Sequence, residues 1–262
     1  MKIYHWFAAG IVALLLWEGS SRVFGSYRFP QPSRLVVYMA QSVFKDAVIE
    51  REGGGRHGFV AHAISTACLF VPALALGCAA GALLALVAFS TGLFGASLER
   101  FLEFFRCLPP LIFIPFLLLA FDASYLSVFA TGFLYSTYSF FFYWLAALRK
   151  IPKSYTESAT LLGAGAWQLS RTVLLPGSVP DVVAGLRISG CITLGIMVAA
   201  EYLGAPMGIG RTLKFAVSYS SATMLFTGIF WAIMLAVGYE VVVVLVGARL
   251  LRWARRGAAT RE

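Results

Sequence analysis

The chain has 262 residues, 60% of them hydrophobic and only 13% charged, with a formal net charge of +9. A soluble domain of this length has too little interior to hide that much apolar surface, so a bilayer must be the solvent for most of it. No basic stripe with interleaved aromatics sits on a polar domain, which excludes a nucleic-acid partner; Lys and Arg gather instead at segment ends, as flanks facing anionic lipid do.

A spanning helix needs about 20 mostly apolar residues, and six segments meet that need. The first is Tyr4–Phe24, read as a retained helix because no Ala-x-Ala-type cleavage site precedes Glu18. A polar stretch follows, in which Phe29-Pro-Gln-Pro-Ser33 ends one element and starts another. Ser33 is the expected N-cap of an amphipathic helix through Phe44, and Arg51–Gly58 reads as a Gly-rich loop. The remaining spans are Phe59–Phe89, Phe101–Phe121, Tyr125–Leu148, Val179–Leu203 and Thr223–Leu251. The second and sixth exceed the bilayer thickness, which predicts tilt or extension beyond it.

With the N-terminus inside, twelve of the 21 Lys and Arg fall on cytoplasmic pieces and eight outside. The cluster Arg149, Lys150 and Lys153, with the C-terminal Arg249, Arg252, Arg255 and Arg256, decides the orientation: both termini are cytoplasmic. The four cysteines read as small packing residues, with no metal-like pairing. No internal repeat and no separate soluble domain are visible. The chain is therefore read as one transmembrane domain, 1–262, with its core at about 59–251. Six helices enclose little space, so the path is expected on the axis of a dimer.

Between the fourth and fifth spans lies a polar island. Pro152 stops the preceding helix, and Ser154-Tyr-Thr-Glu157 has the spacing of a capping box. Tyr155, Ala159 and Leu162 share one stripe of a first short helix. Gly163-Ala-Gly165 permits a sharp turn. A second short helix, with Ala166, Leu169 and Val173 on one stripe, is expected to end at Leu175-Pro176. Two amphipathic helices joined at a glycine hinge can act as a lever on the flanking spans; the bland alternative is a helix pair resting on lipid.

Other residues carry open readings. Pro109, Pro110 and Pro115 break a spanning helix, either to line a translocation path or as a packing kink. Glu201, near the outer end of the fifth span, either gates or touches solute or caps the Gly204–Gly210 loop. Arg187 and Glu240 fit a buried ion pair inside the bundle, with Arg187 alternatively a charge for an anionic cargo. Gly77-x-x-x-Gly81 allows close helix contact.

The spacing of Glu157, Gly163, Val173 and Leu175-Pro176 resembles the cytoplasmic coupling loop, the Glu-Ala-Ala signature, of the permease subunits of ABC importers. From about Pro30 to Trp253 the chain is similar to the nitrate/sulfonate/taurine class. Arg106-Cys-Leu-Pro-Pro-Leu-Ile-Phe-Ile-Pro115 resembles that family's Arg-Pro-x-Pro-Pro-x4-Pro segment. Glu201-Tyr-Leu-Gly-Ala-Pro-Met-Gly-Ile-Gly210 resembles its acidic residue and Gly-x-Gly turn, and Pro30 to Ser33 its entry into the outer helix. Cys107 stands for a family proline and Ser158 for the first alanine of the signature. Phe121-Asp122-Ala-Ser stands where Phe-Gly-x-Gly is common, which leaves the cargo undefined.

The resemblance implies the all-α fold of a type I ABC importer permease, six transmembrane helices with a cytoplasmic coupling loop at 154–176, in a bacterial cytoplasmic membrane. It implies coupling to an ATPase through Glu157, Ser158, Ala159, Gly163, Ala164, Gly165, Val173, Leu175 and Pro176. A path would involve Arg106, Pro109, Pro110, Pro115, Arg187 and Glu201. Implied partners are two ATP-binding subunits, an external substrate-binding protein, a second permease copy and lipid. The cargo class is a small anion or small polar organic solute such as nitrate, a sulfonate or taurine. No cofactor is expected on this chain, since ATP and Mg belong to the partner; without a Gly-x4-Gly-Lys-Ser/Thr loop it cannot hydrolyse ATP by that route. The rival readings are a stand-alone secondary transporter or channel, and a membrane enzyme. The second lacks paired His, Asp or Glu clusters.

Overall fold

Prolines and glycines divide the chain, and helices fill the intervals. The computed structural model describes residues 2–24, 29–51, 53–55 and 57–251, and no strand occurs among them. The helices are α1 (Lys2–Phe24), α2 (Pro32–Ser42), α3 (Ala47–Arg51), α4 (Phe59–Ser90), α5 (Gly92–Cys107), α6 (Pro110–Ala120) and α7 (Tyr125–Arg149). Then come α8 (Lys153–Leu161), α9 (Ala166–Leu169), a π-helical turn at Ser170–Leu174, α10 (Leu175–Gly204), α11 (Ile209–Ser218) and α12 (Ala222–Leu250). Arg252, Arg255 and Arg256 lie outside the described residues.

The spine is the pair α4 and α7. Along α4 a buried stripe of small residues recurs at three- and four-residue steps: Ala73, Gly77, Gly81, Ala85 and Ala88. A Cβ on Gly81 would stand 2.3 Å from the Thr137 carbonyl oxygen, and one on Gly77 2.7 Å from that of Phe133. The two backbones therefore touch, which only glycine permits there. Helix α10 closes the core, with Leu194, Met197 and Ala200 against Phe70, Ala73, Ile114 and Val128. It is tied to α7 by the Ser139 and Ser189 hydroxyls, 2.9 Å apart. It is tied to α12 by Tyr239, whose hydroxyl donates to the Leu186 carbonyl at 2.5 Å. A second cluster, Ile49, Phe59, Ile209, Phe215 and Met224, packs α3 and α11 onto the ends of α4 and α12.

Helices occupy all six places where spans are expected, with one change. Among the described residues, three runs are long and apolar enough to cross a membrane: Phe59–Ser90, Ala166–Gly204 and Ala222–Leu250. Helices α1 and α7, with 23 and 25 residues, also have the length of a span. The expected third span, Phe101–Phe121, is not one helix. Gly92–Arg106 and Pro110–Ala120 meet at 90° and form a broken span at most. The break has a local cause: Leu108 and Pro109 are extended (ψ 129° and 127°), because a residue before proline is driven out of helical geometry and two prolines follow in series.

Ser33 does not cap α2. The N-cap is Gln31, Pro32 takes the first helical position, and the cap comes from another helix. The Glu18 carboxylate of α1 accepts from the Ser33 amide at 3.2 Å and from its hydroxyl at 3.1 Å. A carboxylate at a helix N-terminus is stabilised by the free amides and the dipole there. Of the cysteines, Cys78 is buried as expected, whereas Cys68 and Cys191 are exposed on the bundle surface.

Candidate functional site

The polar island folds as a helix, a capped turn and a rod. Helix α8 starts at Lys153 behind an extended Pro152 that makes no side-chain cap. Ser154 is already helical and Glu157 stands exposed in the second turn, so the expected capping box does not form. Proline sets the start by its own dihedral and leaves Ser154 no N-cap role.

The C-terminus of α8 is a Schellman turn. The Ala164 amide donates to the Ala159 carbonyl at 3.0 Å and the Gly163 amide to Thr160 at 2.9 Å, with Gly163 at φ +84°. Gly163 is thus a fixed left-handed cap rather than a loose hinge. Gly165 is extended at φ −70°, which any residue adopts.

The expected second short helix does not stop at Leu175-Pro176. Helix α9 runs through the π-turn into α10, forming one helical run from Ala166 to Gly204. Pro176 has no amide and its ring would crowd the preceding turn of a regular helix. The wider π-turn, in which the Leu175 amide reaches back to the Ser170 carbonyl, accommodates it. Val173 and Leu175 are half-buried, Leu174 is buried and Pro176 is exposed.

Large apolar side chains crowd the outside of this polar element. Tyr155 is 61% exposed, Leu161 and Leu162 88% each, and Trp167 76%. Of the expected stripes, Tyr155 and Leu162 belong to this surface, while Ala159, Leu169 and Val173 turn partly inward. At the base, Arg149 forks onto Glu99 of α5 at 2.7 and 2.6 Å, and Lys150 pairs with Asp181 of α10. Ordering such exposed side chains on a free surface is costly unless a partner covers them.

At the opposite end of α10 lies a buried polar lock. Glu201 is fully buried; its Oε2 accepts from the Gly210 amide at 2.9 Å and from the Thr66 hydroxyl at 3.0 Å. The same hydroxyl accepts from the Ile209 amide at 3.0 Å. Nδ1 of the buried His62 lies 3.0 Å from the Gly208 carbonyl and 3.1 Å from its amide. Two of the first amides of α11 are therefore satisfied by side chains of α4 and α10. The Gly-x-Gly turn follows from this packing. Gly208 sits at φ +131° with its would-be Cβ 2.2 Å from the Glu201 carboxyl carbon, and Gly210 lies against the Val198 carbonyl. Of the two readings of Glu201, the geometry is that of a cap.

Arg187 and Glu240 do pair, through Nε at 2.7 Å, but on an exposed face of α10 and α12 and not inside the bundle. Both elements turn these residues away from α4 and α7, because the small residues Gly185, Ser189 and Gly190 occupy the inward face of α10.

The polypeptide thus combines a long-helix bundle, a protruding apolar-tipped element and a rod joining that element to the core. Residues 75–257 match the family model described as the binding-protein-dependent transport system inner membrane component. The chain belongs to this family. The permease is 26% identical over 245 residues to the nitrate import permease protein NrtB of Synechococcus elongatus, spanning 94% of this chain and 86% of NrtB. It is also 26% identical to the taurine transport system permease protein TauC of Escherichia coli, over 60% of this chain and 57% of TauC. The fold is similar to a chain of the MetNI methionine ABC transporter solved in an inward-facing conformation. The TM-score is 0.66 at 17% identity, over 74% of this chain and 96% of that one.

The permease has the all-α fold of type I ABC importer permeases. It is a multi-pass membrane subunit of an ATP-driven importer, a transport subunit whose ATP hydrolysis resides on separate chains. Membership implies ATPase and binding-protein partners.

The predicted path residues do not converge. Arg106 lies over the Phe142 ring, 5.3 Å from its centroid, at the α5–α6 elbow. Pro110 lines a cavity there, Pro109 and Pro115 are exposed, Arg187 is on another face, and Glu201 is buried at the far end. Sequence reasoning passed over His62 and Thr66. Their signal was available: two polar residues four apart on one face of an otherwise apolar helix.

Proposed function

We propose that residues 154–176 dock into a groove of an ATP-binding subunit and that α10 carries the resulting displacement into the bundle. The chain acts as one membrane domain over 1–262, paired with a second permease copy, with two ATP-binding subunits on the cytoplasmic side. An external binding protein delivers the cargo, a small anion or small polar organic solute of the nitrate, sulfonate or taurine kind. The membrane is the bacterial cytoplasmic membrane, and both termini face inward. ATP and Mg act on the partner, and Glu157, Ser158, Ala159, Gly163, Ala164, Gly165, Val173, Leu175 and Pro176 shape the element that the partner holds.

One observation carries this reading: Tyr155, Leu161, Leu162 and Trp167 stand exposed on a polar segment continuous with a core helix. A resting place on lipid accounts for the apolar tips but not for the unbroken run from Ala166 to Gly204. The supporting experiment is site-specific cross-linking from Leu162→Cys in membranes, followed by mass spectrometry of the adduct. An adduct with an ATP-binding chain is the expected result. Labelling of the same cysteine by an impermeant reagent added from outside overturns the reading.

A further inference from the structure

A guanidinium and a carboxylate within the hydrocarbon are costly unless protein or water surrounds them. Arg187 lies six residues beyond Asp181, whose pairing with Lys150 at the end of α7 marks one edge of the bundle. At ~1.5 Å per residue it stands about 9 Å deeper. Glu240 precedes Leu250, the last residue of α12, by ten residues, about 15 Å by the same measure. The pair thus lies well inside the span, yet Arg187 is half exposed and Glu240 a third exposed on the outer face of α10 and α12. It is also unfinished. Arg187 donates through Nε and Nη2 to Oε1 of Glu240, and among the described residues neither Nη1 nor Oε2 has a further partner.

We propose that this face receives a second copy of the chain, and that Arg187 of each copy pairs with Glu240 of both, closing a ring of four charges across the two-fold axis. The proposal rests on the paired-permease reading above and adds where the two copies meet. Three observations argue for it.

The first is electrostatic. A two-fold interface brings residue i of one copy against residue j of the other, and j against i. A patch that is positive on α10 and negative on the adjacent α12 is complementary to itself under that operation. Nη1 of one copy meets Oε2 of the other, so each ion gains the charge-assisted bond it lacks in the single chain. Lipid tails offer neither group a partner.

The second is steric. Arg187, Cys191 and Gly195 follow one another at four-residue steps and form a single exposed ridge of α10, with Ala184 one turn before them. A glycine inside a helix is destabilising unless something needs its bareness. Around Gly195 the single chain places nothing within 4 Å. Such a ridge of small residues lets a helix of another copy approach closely.

The third is the match between the two helices. Val237 and Val244 flank Glu240 on its own face of α12, and both are exposed. The most apolar stretch of α12 buries no residue within the single chain. Branched side chains on α12 and a bare ridge on α10 give one copy the knobs and the other the grooves, twice over under the two-fold. Arg187 also belongs to the run that begins at Ala166, so a pull on the coupling element bears on the ring directly.

The test keeps the full chain with its ATPase in native membranes, in a Cys107→Ser background. A short-armed bismaleimide is expected to give a covalent pair at twice the chain's mass, which Cys68→Ser keeps and Cys191→Ser loses. Charge exchange then reads the ring itself. Two copies carrying Arg187→Glu bring four negative charges together, and two carrying Glu240→Arg four positive ones, whereas one of each restores the alternation. Co-expressed under different tags, the two variants should form mixed pairs in about tenfold excess over a statistical mixture. An ion pair confined to its own chain predicts the statistical mixture, and that result overturns the proposal. So does a covalent pair lost in Cys68→Ser and kept in Cys191→Ser. Full labelling of Cys191 in the intact pair by a bilayer-dissolved pyrene maleimide also overturns it, assigning the face to lipid. The Cys191 link needs no charge change, so it decides the matter should the charge variants fail to assemble. A chain that amine cross-linking finds single removes the paired-permease reading along with the seam; a pair that amine cross-linking detects and Cys191 does not join removes the seam alone.

Discussion

Replacing Gly163 by valine isolates the turn from everything around it. Gly163 sits at φ +84° and a Cβ there meets nothing within 4 Å, so no clash contributes and the whole cost is backbone strain. For an L-residue in the left-handed region that cost is about 1–2 kcal/mol, at the upper end for a β-branched side chain. Gly165, two residues on, also has open space but lies at φ −70° and ψ 166°, where valine is at ease. Strain of this size shifts the capped turn against its frayed form by about 5- to 30-fold. Gly163→Val should then lower cargo-stimulated ATPase activity and ATPase recovery by about that factor, with unchanged membrane insertion. Gly165→Val should leave both intact, and Gly163→Asn should fall between, since asparagine tolerates this region. The assay is ATPase turnover of the reconstituted complex alongside the ratio of co-purified chains. Equal behaviour of the two valine variants, harmless or harmful, refutes the claim that a fixed left-handed cap, and not mere flexibility, is what position 163 supplies.

Other perturbations test the remaining joints. Glu201→Ala strands the Gly210 amide in the interior while Thr66 can turn its hydroxyl to the His62 carbonyl, 3.2 Å away; one lost buried partner predicts about 1–3 kcal/mol of destabilisation, read as a lowered denaturation midpoint in detergent. Gly81→Val drives a side chain into the Thr137 carbonyl and should cost about 1–3 kcal/mol or prevent assembly, whereas Gly238→Val, with nothing within 4 Å, should be silent in the same measurement. Leu161→Ser with Leu162→Ser should reduce ATPase recovery at least tenfold, because two leucines buried on docking are each worth about 1.5–3 kcal/mol before association costs; full recovery removes these side chains from the interface.

The positions of the helices were legible because proline and glycine act locally. Pro152 stops α7 and Gly163 ends α8 whatever lies around them. The elbow at Leu108–Pro110 was half legible: the prolines announce a break, but the apolar residues of Phe101–Phe121 read as one span. The charges Glu99, Arg100, Glu103 and Arg106 interrupt that segment at helical spacing and mark α5 as amphipathic. What could not be read was which polar groups find partners across the fold. Ser154 and Glu157 have the spacing of a cap and do not form one, while Glu201, readable as a cap of the Gly204–Gly210 loop, also holds Thr66 of α4, which nothing in its own segment announces. Arg187 and Glu240 could be paired from their depths in two spans, yet the face they occupy depends on helix rotation, which their spacing does not encode.

Continuity through Pro176 is what turns a loop into a transmission element. Had α9 ended there, as its sequence suggests, displacement at Trp167 would dissipate in a joint of soft dihedrals. The π-turn at Ser170–Leu174 keeps the hydrogen-bond ladder running and lets the proline ring fit. At ~1.5 Å per residue, the 30 residues from Ala166 to Gly195 extend about 45 Å, roughly the full membrane including headgroups. One end carries the exposed tryptophan, and the other reaches the back wall of the elbow cavity and the lock at Glu201. A rod seated in a core through Leu194, Met197 and Ala200 moves against α4 and α7 as a unit, because close-packed interfaces slide between discrete arrangements more readily than they deform. Inserting one alanine between Val182 and Val183, within the regular turns of α10, would rotate everything beyond it by about 100° relative to α9. Either Trp167 or the Leu194–Ala200 face must then be misdirected. Such a variant should insert and yet fail either to retain its ATPase or to keep its thermal midpoint, and preservation of both would show that the run is not one rigid body.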